Sequence, residues 1–155
     1  MNSIPLHPLF VHIPLGIAIV APFITLGQTI AIWRKWIPAK VWLAVVMALA
    51  ALFIACFIAQ RSGDAEHDRV AQVVPHEAIE EHEEAAELFT VIVGVNLGLA
   101  VVAWLLRNRR LGGILRLATV LVAFLMLVQA VQTGHRGGLL VYKYGACRAY
   151  GEEKK

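Results

Sequence analysis

Apolar residues gather along the chain in four blocks that contain no Asp, Glu, Lys or Arg: residues 9–33, 41–59, 88–106 and 117–134. A helix needs about 20 apolar residues to cross the hydrocarbon core of a bilayer, and each block is close to that length. The pattern predicts an all-α fold. It is a four-transmembrane-helix bundle with an outer-side helical extension before helix three. The expected spans are 13–33, 41–60, 87–106 and 114–134, all within one domain covering 1–155. Pro14 suits the first turn of the first helix. Pro22 lies in its middle, where a kink is expected. Pro38 opens the second helix, which runs to about Gln60, and the polar stretch RSGDAEHD follows as a turn.

The connection between the second and third blocks is polar yet periodic. Ala78, Ile79, His82, Ala85, Ala86 and Phe89 recur at helical spacing and form one apolar stripe, while Glu80, Glu84 and Glu87 fall on another face. Pro75 is therefore expected to start a helix that continues straight into the third span, with His82 turned toward the bundle. The fourth helix is expected to end at Gly134, Gly137 and Gly138, which permit a sharp reversal. The segment LLVYKY would then fold back over the mouth of the bundle.

Charge places the blocks in a membrane. Only 16% of residues are charged, against about 25% in soluble domains. The first connection carries Arg34, Lys35 and Lys40, and the third carries Arg107, Arg109 and Arg110, followed by Arg116. The second is acidic, from Asp64 to Glu87. The positive-inside rule puts both basic hairpins in the cytoplasm. The expected location is a bacterial inner (plasma) membrane with both termini periplasmic. The basic tail (Arg136, Lys143, Arg148, Lys154, Lys155) argues the other way, and the two hairpins outweigh it. Trp33, Trp36, Trp42 and Trp104 map to the basic side, as interfacial aromatics do. No Lys or Arg precedes the first block, and the block is too long for a signal h-region, so a cleaved leader is not expected.

Several chemistries are excluded by pattern. There is no phosphate-binding loop, nucleophile triad or nucleic-acid motif. Cys56 lies inside the second span and Cys147 in the tail, and no CxxCH sequence is present for covalent haem attachment. The histidines are more informative. All six fall on the outer side of the predicted topology. Counting about 20 residues outward from the basic ends brings His12, His82 and His135 close to one depth on three helices, with His7 a little above. Histidines on facing helices at one level are a usual haem ligand set. The expected cofactor is haem b, one copy before two, held by two or more of His12, His82, His135 and His7. His12 with His82 is the first axial pair, and the same four histidines are the candidate metal ligands. Gly16 and the small residues around His82 leave room for a flat group. Arg136, next to His135, is placed to pair with a haem propionate.

Two other readings compete. A non-haem metal could use His76, Glu80, Glu83 and Glu84. The Glu-x-x-His pairs of di-iron bundles are absent, however, and HExxH fails because Glu80 holds its last position. A channel would need ionisable groups at mid-depth, whereas the spans offer only Thr25, Gln28, Asn96, Thr119 and Gln129. His67 and His76 sit in polar surroundings and read as surface residues.

The stretches HPLFVHIPLG (residues 7–16) and TGHRGGLLVYKYGA (133–146) resemble the opening and closing signatures of a bacterial membrane family catalogued as domain of unknown function 2231. EEHEEAAEL, around His82, is similar to its third signature. The resemblance covers nearly the whole chain and implies four transmembrane helices. Some relatives lie beside redox proteins or are fused to them. His7 and His12 match the opening motif, His82 the central one and His135 the closing one; Cys147 stands where a small residue is usual.

The function expected is a membrane b-type cytochrome that transfers electrons near the periplasmic face. That is an electron-transfer role rather than an enzyme with its own substrate. Its expected partners are membrane lipids, a quinol or a periplasmic redox protein, and a second copy or a larger respiratory complex, with no nucleic acid. The alternatives are a non-haem metal protein and a cofactor-free structural or assembly subunit of a respiratory complex.

Overall fold

The computed structural model describes residues 6–151. The first five and last four residues lie outside it, among them Lys154 and Lys155 of the basic tail. Four long helices dominate: α1 (His7–Trp33), α2 (Leu43–Asp64), α4 (His76–Leu105) and α5 (Arg110–Tyr142). A single-turn α3 (His67–Val70) and two 3-10 turns (Ala39–Trp42 and Ala146–Tyr150) complete the described chain, which contains no strand. All four long helices are long and apolar enough to cross a membrane. The α-helical extension predicted before the third span is continuous with it, since α4 starts directly after Pro75.

Helix α1 packs on α2 and α5, and α4 packs on the same two, so α1 and α4 face each other across the bundle diagonal. The axis is filled by Ala18 and Ala21 of α1, Leu49 and Leu52 of α2, Val93 and Ala100 of α4, and Met126 and Ala130 of α5. Small residues at these contacts let backbones approach closely, which is how helices associate in lipid. The outward faces are equally apolar. Phe23, Val91, Leu121 and Val131 are each more than half exposed. Bare apolar sides of this extent suit lipid rather than water.

Buried polar side chains tie the helices together. Trp42 Nε1 donates to the Ala100 carbonyl at 3.1 Å. Gln60 Nε2 donates to Thr90 Oγ1 at 3.0 Å, joining α2 to α4. Gln129 Nε2 (3.1 Å) and Thr133 Oγ1 (2.9 Å) both donate to the Ala85 carbonyl, joining α5 to α4. Gln129, one of the polar groups weighed for a channel, is therefore a helix–helix tie.

Helix ends depart from the expected positions. α1 begins at His7 rather than Pro14, because Pro8 occupies the first-turn position where a missing N–H removes nothing. Pro14 lies buried inside the helix, and its ring forfeits one bond to the preceding turn. α2 continues to Asp64, so the predicted RSGD turn is helical. α5 runs through Gly134, Gly137 and Gly138 to Tyr142, so LLVYKY does not fold back as an extended segment. Of those glycines only Gly137 serves a close approach, a Cβ there coming 3.0 Å from His82; one at Gly134 would meet Leu15 at an ordinary 3.9 Å and one at Gly138 nothing within 4 Å. The reversal comes later, at Gly145, whose φ of 74° glycine adopts without strain.

The end of α1 is closed differently. The Trp36 amide donates to the Ala31 carbonyl (2.9 Å) and the Lys35 amide to the Ile32 carbonyl (3.0 Å). This is a Schellman closure, whose left-handed position usually holds glycine. Here Lys35 holds it, at φ 59°, a conformation that costs a non-glycine residue roughly 1 kcal/mol.

Candidate functional site: a histidine pair across the bundle diagonal

The first turn of α1 and the extramembrane part of α4 bring His7 and His82 together. Their ring centroids lie 6.2 Å apart, with the planes 84° to each other. Each ring rests on a glycine of a flanking helix. A Cβ at Gly63 of α2 would come 3.2 Å from Cε1 of His7, and one at Gly137 of α5 would come 3.0 Å from Cε1 of His82. Any other residue at either position would push its ring away.

Hydrogen bonding orients the His7 ring. His7 Nδ1 lies 3.0 Å from the Ala59 carbonyl and 3.0 Å from Ser62 Oγ. The Ser62 hydroxyl spends its own hydrogen on the Ala59 carbonyl at 2.6 Å. Both neighbours of Nδ1 are thus acceptors, so Nδ1 carries the hydrogen and Nε2 keeps its lone pair. His82 Nδ1 is buried and has no partner. Leaving such a nitrogen unsatisfied costs about 1–3 kcal/mol. The His7 imidazole has one nitrogen fixed by a backbone carbonyl and one uncommitted, as a metal-ligating histidine does.

The other expected ligands do not join this pair. His12 is exposed, and its Nδ1 bonds the Pro8 carbonyl of its own helix. Five residues of helix turn a side chain about 140° away, so His7 and His12 cannot both face the axis. The structure thus brings His7, rather than His12, beside His82. His135 is exposed on α5, and Gly16 has open space around it rather than a wall of the site. Arg136 is near the pair: its Nη1 donates to the Glu81 carbonyl at 2.6 Å, next to His82 in the chain. Among the described residues no carboxylate pairs with it.

A second group lies further out. His67 Nδ1 bonds Glu83 Oε1 at 2.8 Å, and His76 Nε2 meets Glu80 Oε1 at 3.2 Å, with the two rings 6.4 Å apart. The Glu83 carboxylate holds the His67 imidazolium above its ordinary pKa, against a smaller opposing effect of burial. Each histidine is matched to its own glutamate. Among the described residues, no three His, Cys, Asp or Glu side chains gather so as to hold a metal ion, so the proposed set of His76, Glu80, Glu83 and Glu84 is not assembled. Cys56 and Cys147 are both free.

Sequence reasoning underrated His7 and missed its seat on Gly63 and Ser62. Depth along a helix follows from residue count, whereas facing follows from angle, and the apolar stripe gives that angle only for His82. The same helical wheel applied to residues 7 and 12 separates them.

An all-helical bundle with four spans and a half-buried diagonal histidine pair defines a polytopic membrane protein. The chain belongs to the family described as predicted membrane protein (DUF2231), which it matches over residues 3–149. No curated protein and no solved structure matches it.

Proposed function

We propose that this protein is a membrane b-type cytochrome in which His7 and His82 are the axial ligands of one haem b. The observation that carries the proposal is the buried, unpartnered Nδ1 of His82 in a ring whose centre lies 6.2 Å from that of a second imidazole. The two rings stand on facing helices, and His7 and His82 are the side chains that would hold the haem iron there. Small residues surround this level, including Ala59, Gly63, Ala85 and Gly137. Arg136 supplies a guanidinium for a propionate.

When bound, haem would supply one-electron chemistry. The chain's part is to fix the ligands. The Ala59 carbonyl sets the His7 tautomer and raises the basicity of the nitrogen left uncommitted. The surrounding glutamates (Glu77, Glu80, Glu81, Glu84 and Glu87) favour docking of a basic redox partner, with a quinol from the bilayer as the other electron source. We place the acidic end in the periplasm and the basic hairpins in the cytoplasm of a bacterial inner membrane.

A cofactor-free structural subunit is the second reading. It is favoured by the edge-to-face contact of the rings, which packs them without any added group. Colour separates the two. Detergent-purified protein from haem-replete cells is expected to show a Soret band, reduced b-type bands and a positive pyridine haemochrome. His7→Ala and His82→Ala should each abolish them in a folded bundle, and His12→Ala should not. A colourless wild-type protein would overturn the cytochrome reading.

A further inference from the structure

The opposite, basic end of the bundle holds a feature that the histidine site does not use. Beyond the end of α1, an open groove of about 460 Å³ is lined by Ile32, Lys35, Trp36, Ile37, Pro38 and Ala39. Its floor is apolar and its rim carries a cation. Trp33 and Trp36 stand 77% and 71% exposed beside it. The Arg34 guanidinium carbon lies 5.9 Å from the centre of each indole, held between them.

The neighbouring loop adds charge. Trp104 Nε1 donates to the Lys40 carbonyl at 3.4 Å, which joins the two basic hairpins. Arg107 stacks over Trp104 at 4.9 Å, and Arg109 and Arg110 follow. No Asp or Glu occurs between residues 6 and 63 or between 88 and 151, so this end has cations and no carboxylate. None of these cations forms an ion pair among the described residues.

Lys35 gives the groove its specificity. It occupies the left-handed position of the α1 closure, where glycine would be unstrained. A helix end alone favours glycine there, since the attraction of a lysine for the helix C-terminus, about 0.3–1 kcal/mol, does no more than offset the strain. What lysine adds is an ammonium at the rim of an apolar groove, at the depth where exposed tryptophans mark a headgroup layer.

We propose that this groove binds an anionic phospholipid of the adjacent leaflet. Arg34 and Lys35 hold its phosphate, and one acyl chain lies along Ile32, Trp36 and Ile37. The charge is complementary, and the apolar floor distinguishes a lipid from a soluble phosphate. The inference does not depend on haem.

The test uses the full chain reconstituted in bilayers, with fluorescence of the exposed tryptophans quenched by lipids carrying brominated chains. Brominated phosphatidylglycerol is compared with brominated phosphatidylcholine at equal mole fraction. The wild type should prefer the anionic lipid, with Lys35 supplying an about fivefold share of the preference, the factor one interfacial cation contributes. Lys35→Gly should lose that share while its melting temperature stays level or rises, and Lys35→Asn, which also tolerates the left-handed region, should behave alike. Inorganic phosphate at constant ionic strength should leave the quenching unchanged. Equal quenching by both lipids in the wild type, an undiminished preference in the Lys35 variants, or competition by inorganic phosphate would each overturn the proposal.

Discussion

Gly137 and Gly138 are adjacent on α5, yet they should answer alanine substitution differently. At Gly138 an added Cβ meets nothing within 4 Å. At Gly137 it would lie 3.0 Å from Cε1 and 3.4 Å from Nδ1 of His82. Both substitutions gain the same backbone contribution, about 1 kcal/mol for alanine over glycine inside a helix. For Gly138→Ala that is the whole expected effect, and it raises the melting temperature by about 2–4 °C in a chain of this size. For Gly137→Ala the His82 ring must shift by a few tenths of an ångström, and overpacking of this kind costs typically 1–3 kcal/mol, roughly cancelling or exceeding the gain. The difference between the two variants, about 1–3 kcal/mol, isolates the ring contact because the propensity contribution is common to both. Thermal unfolding followed by circular dichroism, in one detergent and at one scan rate, measures it. Equal shifts in the two variants would show that His82 does not rest on Gly137, and the geometry of the pair would fall with that contact.

Three further outcomes are expected. The His67 pKa is raised in the fold by Glu83, so the pair's contribution is fully present below the unfolded value of about 6.5 and is lost as pH rises through the folded value. Since both side chains are partly exposed, that contribution is under about 1 kcal/mol. Nitrogen-detected titration of His67 in the wild type and in Glu83→Gln checks the direction, and an unchanged midpoint refutes it. Tyr150 donates its hydroxyl to Glu66, and burial together with that bond pushes its pKa up to about 12. Absorbance at 295 nm should then show one of the three tyrosines ionising late, and Tyr150→Phe should remove that step. Asn96 is fully buried with neither amide atom partnered, so Asn96→Leu should stabilise the bundle by about 1–3 kcal/mol. Destabilisation would show that a bound water or another polar group satisfies the amide.

The fold was largely legible because lipid imposes a coarse rule: a charge-free run near 20 residues leaves few alternatives. The extension of α4 was readable as well, since Ile79, His82, Ala85, Ala86 and Phe89 kept a helical stripe through a very polar segment. The helix ends were less so. Pro14 and Gly134 look like boundaries locally, but tertiary contacts decide there; Pro14 is buried in an intact helix and Gly134 packs on Leu15. At the histidine site, depth along the membrane was readable from chain length, whereas facing depends on angle. That is why His12 and His135 were grouped with His82, although His7 is the residue that meets it. The seats on Gly63 and Gly137 are long-range contacts between helices and leave no local signal beyond the glycines themselves.

The length of α4 has one further consequence. Its 30 residues span about 45 Å, whereas the hydrocarbon layer is about 30 Å thick. A stem roughly 15 Å long therefore stands clear of the lipid, and His82 rides on it, locked to α1, α2 and α5. A thicker or thinner bilayer would slide the water boundary along this stem without altering the spacing of the two imidazoles. The accessibility of the histidine pair to water-soluble reagents is thus tuned by acyl-chain length, while its internal geometry stays that of the bundle.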